Sequence, residues 1–451
     1  MLKVAILVSV LVFGVLAAGS ALSSRRDSAA PAVAGEVLVA LDEASWAGQD
    51  LGHGLGGIVL DLIPEIRTVR LGLIGGEGVE AAIVRIGRLP GVQHVEPNLL
   101  LRDAGPVTDD TFYGGQASYL DLIDAPAAWS ITTGDASVVV AVLDSGVDTT
   151  HPDLAGKIWT NPGEVAGNGI DDDDNGCIDD VSGCNFVTVA TKDPSCADPI
   201  ASSVADDNGH GTFVAGIIGA VANNGTGITG AAPAVTVLPV KILDCLGGGS
   251  AADAAKGLLY AAKAGARVAN ISFTGNGESA TLSSAIREAH DRYGMIIVAA
   301  SGNDGTKGVT FPARLPEAIS VGSSGTAESA DARSPFSDWG PEVDVVAPGR
   351  NIVSTVPLQF CGEHWHCLNG EPYANASGTS FAAPLVSSLA ALIVSKNPNL
   401  NPETVRWMIL RSADALPDGD TPGWDGAGRI RMLNALEMRR YQIGAPGSIR
   451  E

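Results

Sequence analysis

From residue 118 onward, apolar runs rich in β-branched residues alternate with alanine-rich stretches of helical length, and this alternation is what most restricts the folds open to the chain. Residues 138–143, 236–242, 267–271, 295–300, 318–322 and 343–346 read as strands. Residues 209–222, 251–264, 280–293 and 380–396 read as helices. Strands that alternate with helices this way form a parallel sheet covered on both faces. The expected class is therefore α/β, a doubly wound and mainly parallel sheet. In such sheets ligands and reacting groups collect beyond the carboxyl ends of the strands. A hydrophobic share of 45% is enough to cover a large sheet, and 56 glycines against 5% aromatics favour close backbone packing and tight loops.

The first hundred residues have a different texture. Lys3 precedes an apolar run over residues 4–18, with small residues at Ala17, Gly19 and Ala21, as in a secretory signal. The apolar stretch reaches Leu22, so an uncleaved anchor is the alternative. No later segment reads as an unbroken apolar span. Residues 23–34 are a Ser-, Ala- and Arg-rich linker. Residues 36–42, 67–71 and 91–101 read as strands and 79–88 as a short amphipathic helix, a small α+β unit that precedes a loose stretch at 102–110. The expected layout is 1–22 signal, 23–34 linker, 35–103 α+β unit, 104–445 main domain and 446–451 tail. Nothing suggests an assembly beyond a monomer.

A formal net charge of -23, from 51 acids and 28 bases, sets the chain against nucleic acid and anionic membrane surfaces. All six cysteines, Cys177, Cys184, Cys196, Cys245, Cys361 and Cys367, follow the loose stretch. An even count behind a secretory signal favours disulfides. Cys361 and Cys367 are close enough for a local pair, while the other four leave three connectivities open. A zinc site would want a C-x-x-C spacing, which is absent.

Three segments place a reactive side chain at an element boundary. An apolar strand ends in Asp144-Ser145-Gly146, at the carboxyl edge of the sheet. Asn208-Gly209-His210-Gly211-Thr212-Phe213 puts His210 at a helix start between glycines. Ser377-Gly378-Thr379-Ser380-Phe381-Ala382 puts Ser380 at the start of a long apolar helix, where backbone N–H groups are unpaired. Singly, each residue reads as a turn or cap. Together they supply a nucleophile, a base for its proton and a carboxylate to orient the base, the needs of acyl transfer.

In their order Asp, His, Ser these segments resemble the subtilisin-like serine proteases, the subtilases, and the likeness covers roughly residues 118–440. The resemblance implies a peptide-bond hydrolase with Asp144, His210 and Ser380 as triad. It implies that Asn303, in Ala300-Ser301-Gly302-Asn303, donates to the oxyanion beside the Ser380 N–H. Substrate would lie as an added strand between Gly247-Gly248-Gly249 and Ser272-Phe273-Thr274, with Thr310-Phe311-Pro312 completing the specificity pocket. No acid is evident in that pocket, which favours neutral or apolar side chains over Lys or Arg. Phe213, Phe381 and Leu385 depart from the His, Met and His frequent in the family, and Thr274 from a frequent Gly.

Two stretches suggest calcium, as a structural ion and with no organic cofactor beside it. The run Asp171-Asp172-Asp173-Asp174-Asn175-Gly176 through Asp179 sets carboxylates around a glycine turn, with Asp171, Asp173, Asn175 and Asp179 as candidate ligands. Ser182 stands where a helix-loop-helix site would have Glu. By resemblance to thermitase-like subtilases, Asn224 and Asp153 form a second site. The N-x-S/T triplets at Asn224, Asn270 and Asn375 are short enough to be accidental. Residues 35–101 resemble the subtilase prodomain, most clearly at Pro90-Gly91-Val92 and Val95-Glu96-Pro97-Asn98. That likeness implies a secreted zymogen whose prosegment is an intramolecular inhibitor, removed by self-cleavage in residues 101–110.

Overall fold

The computed structural model describes residues 32–47, 54–99, 108–275, 277–326, 329–362, 365–417 and 422–438. The expected signal (1–22), most of the linker, much of the stretch expected to be cleaved, and the tail lie outside these residues. The chain divides into two compact units, Met1–Asp103 and Ala104–Glu451.

The first unit holds strands β1 (Ala32–Leu41), β2 (Gly57–Ile63), β3 (Thr68–Leu73) and β4 (Val92–Leu99), with helices α1 (Glu43–Trp46) and α2 (Val79–Ile86). The strands form an antiparallel sheet in the order β2-β3-β1-β4. Val37 and Val39 on β1, and Val69 and Leu71 on β3, point to one face at the two-residue strand period. They meet Ala82 and Ile86, four apart on α2 and so on one side of it. Strand β2 has no counterpart in the sequence expectations. Its apolar residues Ile58, Leu60 and Leu62 are exposed, so it lacks the inward alternation that marks a strand.

The second unit is built on β5 (Val139–Asp144), β6 (Cys184–Asn185), β7 (Thr236–Lys241), β8 (Val268–Ile271), β9 (Ile296–Ala300), β10 (Ala318–Ser324) and β11 (Val345–Pro348). They form one sheet in the order β11-β10-β9-β8-β5-β7-β6, with every pairing parallel. Its helices are α3 (Tyr113–Leu120), α4 (Ala125–Trp129), α5 (His210–Gly219), α6 (Ala251–Lys263), α7 (Ala280–Asp291), α8 (Thr379–Lys396), α9 (Pro402–Ser412) and α10 (Met432–Glu437). Val140 and Val142 face a core shared with Phe213 of α5 and Leu389 of α8. Ala141 and Leu143 face the opposite core, with Leu258 of α6 and Ile286 of α7. Burial on both sides explains why the strands read as unbroken apolar runs. Each large side chain removed from water contributes roughly 1.5–3 kcal/mol.

The chain fills the sheet on one side of β5 with β7 and β6, and on the other with β8 to β11. Strand β5 is thus the switch point, and Asp144 is its last residue. Helix α8 is long and apolar enough by composition to cross a membrane, but serines interrupt its apolar run and 83% of it is buried, as in a core helix. The disulfides are Cys177–Cys184, Cys196–Cys245 and Cys361–Cys367, which resolves the open connectivity.

A short antiparallel pair, β12 (Ile352–Thr355) with β13 (Tyr373–Ala376), packs on α5. Ser354 and Thr355 donate their hydroxyls to the Phe213 and Thr212 carbonyls, each at 2.7 Å. A side chain at Gly216 would collide with both hydroxyls. Gly216→Ala, compared with the unsubstituted chain, should lower stability by about 1–3 kcal/mol through overpacking. Thermal unfolding of the two chains checks this, and an unchanged melting temperature would mean that α5 is free to move off β12.

Candidate active site

The site begins with a close approach of two backbones. Helix α5 starts against the turn after β5, and a Cβ on Gly211 would strike the Gly146 carbonyl. Gly146 has φ +106° and lies equally tight against the Val204 and Ala205 carbonyls. Glycine at both places lets the strand end and the helix start meet. His210 Nδ1 then lies 2.8 and 2.9 Å from the two carboxylate oxygens of Asp144. Asp144 is fully buried, whereas the imidazole keeps 24% exposure.

Asp206 supports this pair from below. It is buried, and its Oδ1 accepts from the Ser145 hydroxyl and from the N–H groups of Asn208 and Gly209. Its Oδ2 accepts the N–H and hydroxyl of Thr212 at 2.9 and 2.6 Å. Asp206 thus satisfies the open N-terminus of α5. Burial opposes a charged imidazole at His210, but the charge and hydrogen bond of Asp144 and the charge of Asp206 outweigh it. The His210 pKa therefore lies above the ordinary histidine value.

Ser380 is the second residue of α8. Pro384 lies four residues on and has no N–H, so the Ser380 carbonyl lacks its helical donor. The Ser272 hydroxyl replaces it at 2.8 Å, and Ser380 Oγ donates to the Ser272 carbonyl at 3.0 Å. Asn270 at the end of β8 donates to Ser272 Oγ and accepts from the Ser387 hydroxyl. Asn270 is fully buried and therefore inaccessible to glycosylation. Among the described residues no hydrogen bond joins Ser380 Oγ to His210, and catalytic hydrogen bonds of this kind commonly tighten only with substrate.

Asn303 is fixed through its carbonyl oxygen, which accepts the Thr379 N–H and hydroxyl, both at 2.9 Å. Its amide nitrogen has no hydrogen-bond partner among the described residues, and Asn303 lines the same cleft as His210 and Ser380. Thr379 has no signal in the sequence beyond its place before Ser380. Asp206 has none beyond its place in an acidic turn.

The cleft has a volume of about 570 Å³ and is walled by Gly247, Gly248 and Gly249 on one side and Ser272, Phe273 and Thr274 on the other. Asp244 accepts the Gly248 N–H and pairs with that loop through the backbone, which holds the glycine wall. Thr310 does not line the cleft; it donates its hydroxyl to the Ser301 carbonyl, and Phe311 takes the wall position. Among the described lining residues there is no Asp, Glu, Lys or Arg. The family departures fall together. Phe213 and Phe381 are in contact at 4.4 Å between ring centroids, and Leu385 is buried in the core.

The acidic loop closes on a different set of oxygens from the expected one. Asp171 accepts the Asn175 and Gly176 N–H groups, and Asp179 those of Asn168 and Gly169. Asn175 gives its oxygen to the Cys177 N–H and its nitrogen to Asp180. Of the expected ligands only Asp173 joins a cluster, with Glu164 and Asp180, whose oxygens lie within 4.8 Å of one another. Among the described residues, Glu164 Oε2 is buried with no hydrogen-bond partner. Burial, then neighbouring acids, push the Glu164 and Asp180 carboxyls upward. Asp153 and Asn224 do meet, at 2.8 Å, but through the Asn224 amide nitrogen, with the Asn224 oxygen turned to Thr226. Asp153 also accepts the Ile228 N–H.

The chain is similar to known proteins over both of its units. The profile of the subtilase family matches residues 135–428, and that of the fervidolysin N-terminal prodomain matches residues 20–98. The chain is 34% identical over 410 residues to a thermophilic serine proteinase of Bacillus sp. (strain AK1), covering 90% of this chain and 88% of that protein. It is 34% identical over 329 residues to thermitase of Thermoactinomyces vulgaris, covering 73% of this chain and 99% of thermitase. A solved structure described as proteases from Pseudoalteromonas arctica PAMC 21717 superposes with a TM-score of 0.59 at 26% identity, covering 73% of this chain and 99% of that one. The chain belongs to the subtilase family, with the fold of that family, and is a serine endopeptidase preceded by an N-terminal prodomain.

Proposed function

We propose that this protein is a secreted, calcium-stabilised endopeptidase made as a self-processing zymogen, with Asp144, His210 and Ser380 as its triad. The observation that carries the reading is the contact of His210 Nδ1 with both oxygens of buried Asp144, while the other side of the ring opens on the cleft that Ser380 lines. Ser380 Oγ attacks the scissile carbonyl, and His210 takes its proton and returns it to the leaving amine. Asp144 holds the tautomer and offsets the imidazolium charge. The oxyanion takes hydrogen bonds from Asn303 Nδ2 and the Ser380 N–H. Water then attacks the acyl-enzyme by the reverse proton path. Loss of an oxyanion donor costs roughly 10²–10³ in turnover, a general figure that itself comes from this family.

Substrate lies extended between the glycine wall and Ser272–Thr274, bound by backbone pairing. Leu246, Phe273, Leu282 and Phe311 around an uncharged cleft support a neutral or apolar preference. The segment 35–103 acts as an intramolecular inhibitor and is released by self-cleavage in residues 101–110, leaving 104–445 as the catalytic domain.

Calcium fits the acidic loop best at Glu164, Asp173 and Asp180, where converging carboxylates and the unpartnered Glu164 oxygen suit a hard cation. At Asp153 and Asn224 an ion would require the Asn224 amide to turn over. Bound calcium stabilises the fold by mass action and takes no part in the chemistry.

Three outcomes are expected. Wild type should shed its prosegment and digest casein while Ser380→Ala does neither, read by intact mass and peptide release. If both chains stay intact and inactive, and remain inactive after trimming by trace foreign protease, the endopeptidase reading is wrong. His210 must be neutral to act as base, so kcat/KM should rise with pH through an acid limb above the ordinary histidine value of about 6.5. Asp206→Asn should move that limb downward, whereas an unmoved limb would mean that Asp206 does not act on His210. Calcium at a hundredfold excess over its Kd should add about 2.7 kcal/mol of stability. Glu164→Gln/Asp173→Asn should erase the difference between calcium and chelator in thermal unfolding, and an undiminished difference would place the ion elsewhere.

A further inference from the structure

The two family departures beside the triad meet a third aromatic side chain, brought from a distant loop. After β12 the chain makes a turn at Leu358–Phe360, and Cys361 and Cys367 close the loop that follows. Inside it the Trp365 N–H bonds the Phe360 carbonyl, and the Gly362 N–H bonds the Trp365 carbonyl at 2.8 Å. Trp365 leaves this loop to pack on the core that contains Phe213 and Phe381.

The indole reaches His210 by two routes. Along the backbone, Trp365 Nε1 donates to the Asn208 carbonyl at 3.2 Å, and the Asn208 side-chain oxygen accepts the His210 N–H at 3.2 Å. A Cβ on Gly209 would collide with the indole nitrogen, so only glycine there lets the ring close on the segment leading into His210. Along the side chains, the indole stacks on Phe213, with ring centroids 5.2 Å apart and planes at 20°. Phe213 meets Phe381 at 4.4 Å, and Phe381 meets the His210 ring at 5.4 Å. Phe381 directly follows Ser380, so the cluster touches the segments carrying both the base and the nucleophile.

We propose that Trp365, presented by the loop that Cys361–Cys367 closes, is a positioning residue for His210 and Ser380. This rests on the triad reading above. Trp365 touches no reacting atom. It sets the backbone before the base through its N–H and the flank of the imidazole through the two phenylalanines. A displacement of about 1 Å in a reacting group is enough to cost roughly a hundredfold in rate. An indole lost from one end of this stack leaves a void that Phe213 and Phe381 relax into, and His210 moves with them.

The test measures kcat, KM and melting temperature for wild type, Trp365→Phe, Trp365→Ala and Cys361→Ser/Cys367→Ser, on a neutral peptide amide after prosegment removal. Trp365→Ala should lower kcat roughly ten- to a hundredfold, with KM within about twofold of wild type. Trp365→Phe keeps a ring on Phe213 but loses the donor to Asn208, and should recover part of that loss. The double serine variant should fall between wild type and Trp365→Ala. If Trp365→Ala fails to fold, Trp365→Phe and the loop variant decide. A kcat within about twofold of wild type in the folded variants overturns the proposal. A raised KM with kcat kept also overturns it, by making Trp365 a substrate contact. Failure of the triad reading looks different, because wild type itself would then hydrolyse nothing.

Discussion

The arrangement depends on the contact between Gly211 and the Gly146 carbonyl, where the first turn of α5 rests on the end of β5. A side chain at either glycine would push helix and strand apart, and Asp144 would lose His210. Asp144 would then be a buried carboxylate with the Ser145 N–H as its remaining partner, which is costly in a low-dielectric site. The Asp144–His210 pair therefore joins two elements as well as serving the proposed chemistry. Asp206 completes the joint by neutralising the helix N-terminus with one carboxylate, and its charge adds to that of Asp144 at the imidazole.

Ser380, the proposed nucleophile, is fixed by a different device. A proline four residues beyond Ser380 removes one helical hydrogen bond, and the freed carbonyl is claimed by Ser272 from the neighbouring strand end. Ser387, Asn270 and Ser272 then form a buried hydroxyl–amide chain tying α8 to β8. Thr379 turns Asn303 so that its nitrogen is the group left to donate. The segment leaving β8 thus both lines the cleft and fixes Ser380, which would couple the position of a bound substrate to that of the proposed nucleophile.

Much of this was legible in the sequence. The parallel sheet could be read because burial on both faces makes each strand an apolar run, and Val139–Asp144 shows that texture directly. Asp144, His210, Ser380 and Asn303 lie in short, glycine-bearing segments that read singly as turns or caps and point to acyl transfer only in combination. Strand β2 was not legible, because its apolar residues face outward, nor was the four-residue pair β12–β13. Thr379 and Trp365 meet partners far away in sequence, and no local pattern reveals such contacts; Asp206 caps the helix just after it, but its bond to Ser145 across 61 residues has no local signal. The acidic loop misled in its details. Its alternating carboxylates Asp171 and Asp179 are used on backbone N–H groups, and the converging oxygens come from Glu164, Asp173 and Asp180, which share no simple spacing.

The central claim is that Ser380 is a nucleophile activated by His210. Treatment of the processed protein with a fluorophosphonate, followed by peptide mapping, tests it most directly. One phosphonyl group per chain is expected, on Ser380, formed faster as pH rises through the His210 titration and lost in His210→Ala from which foreign protease has removed the prosegment. Labelling at another residue, or equal labelling of Ser380 with and without His210, would contradict it.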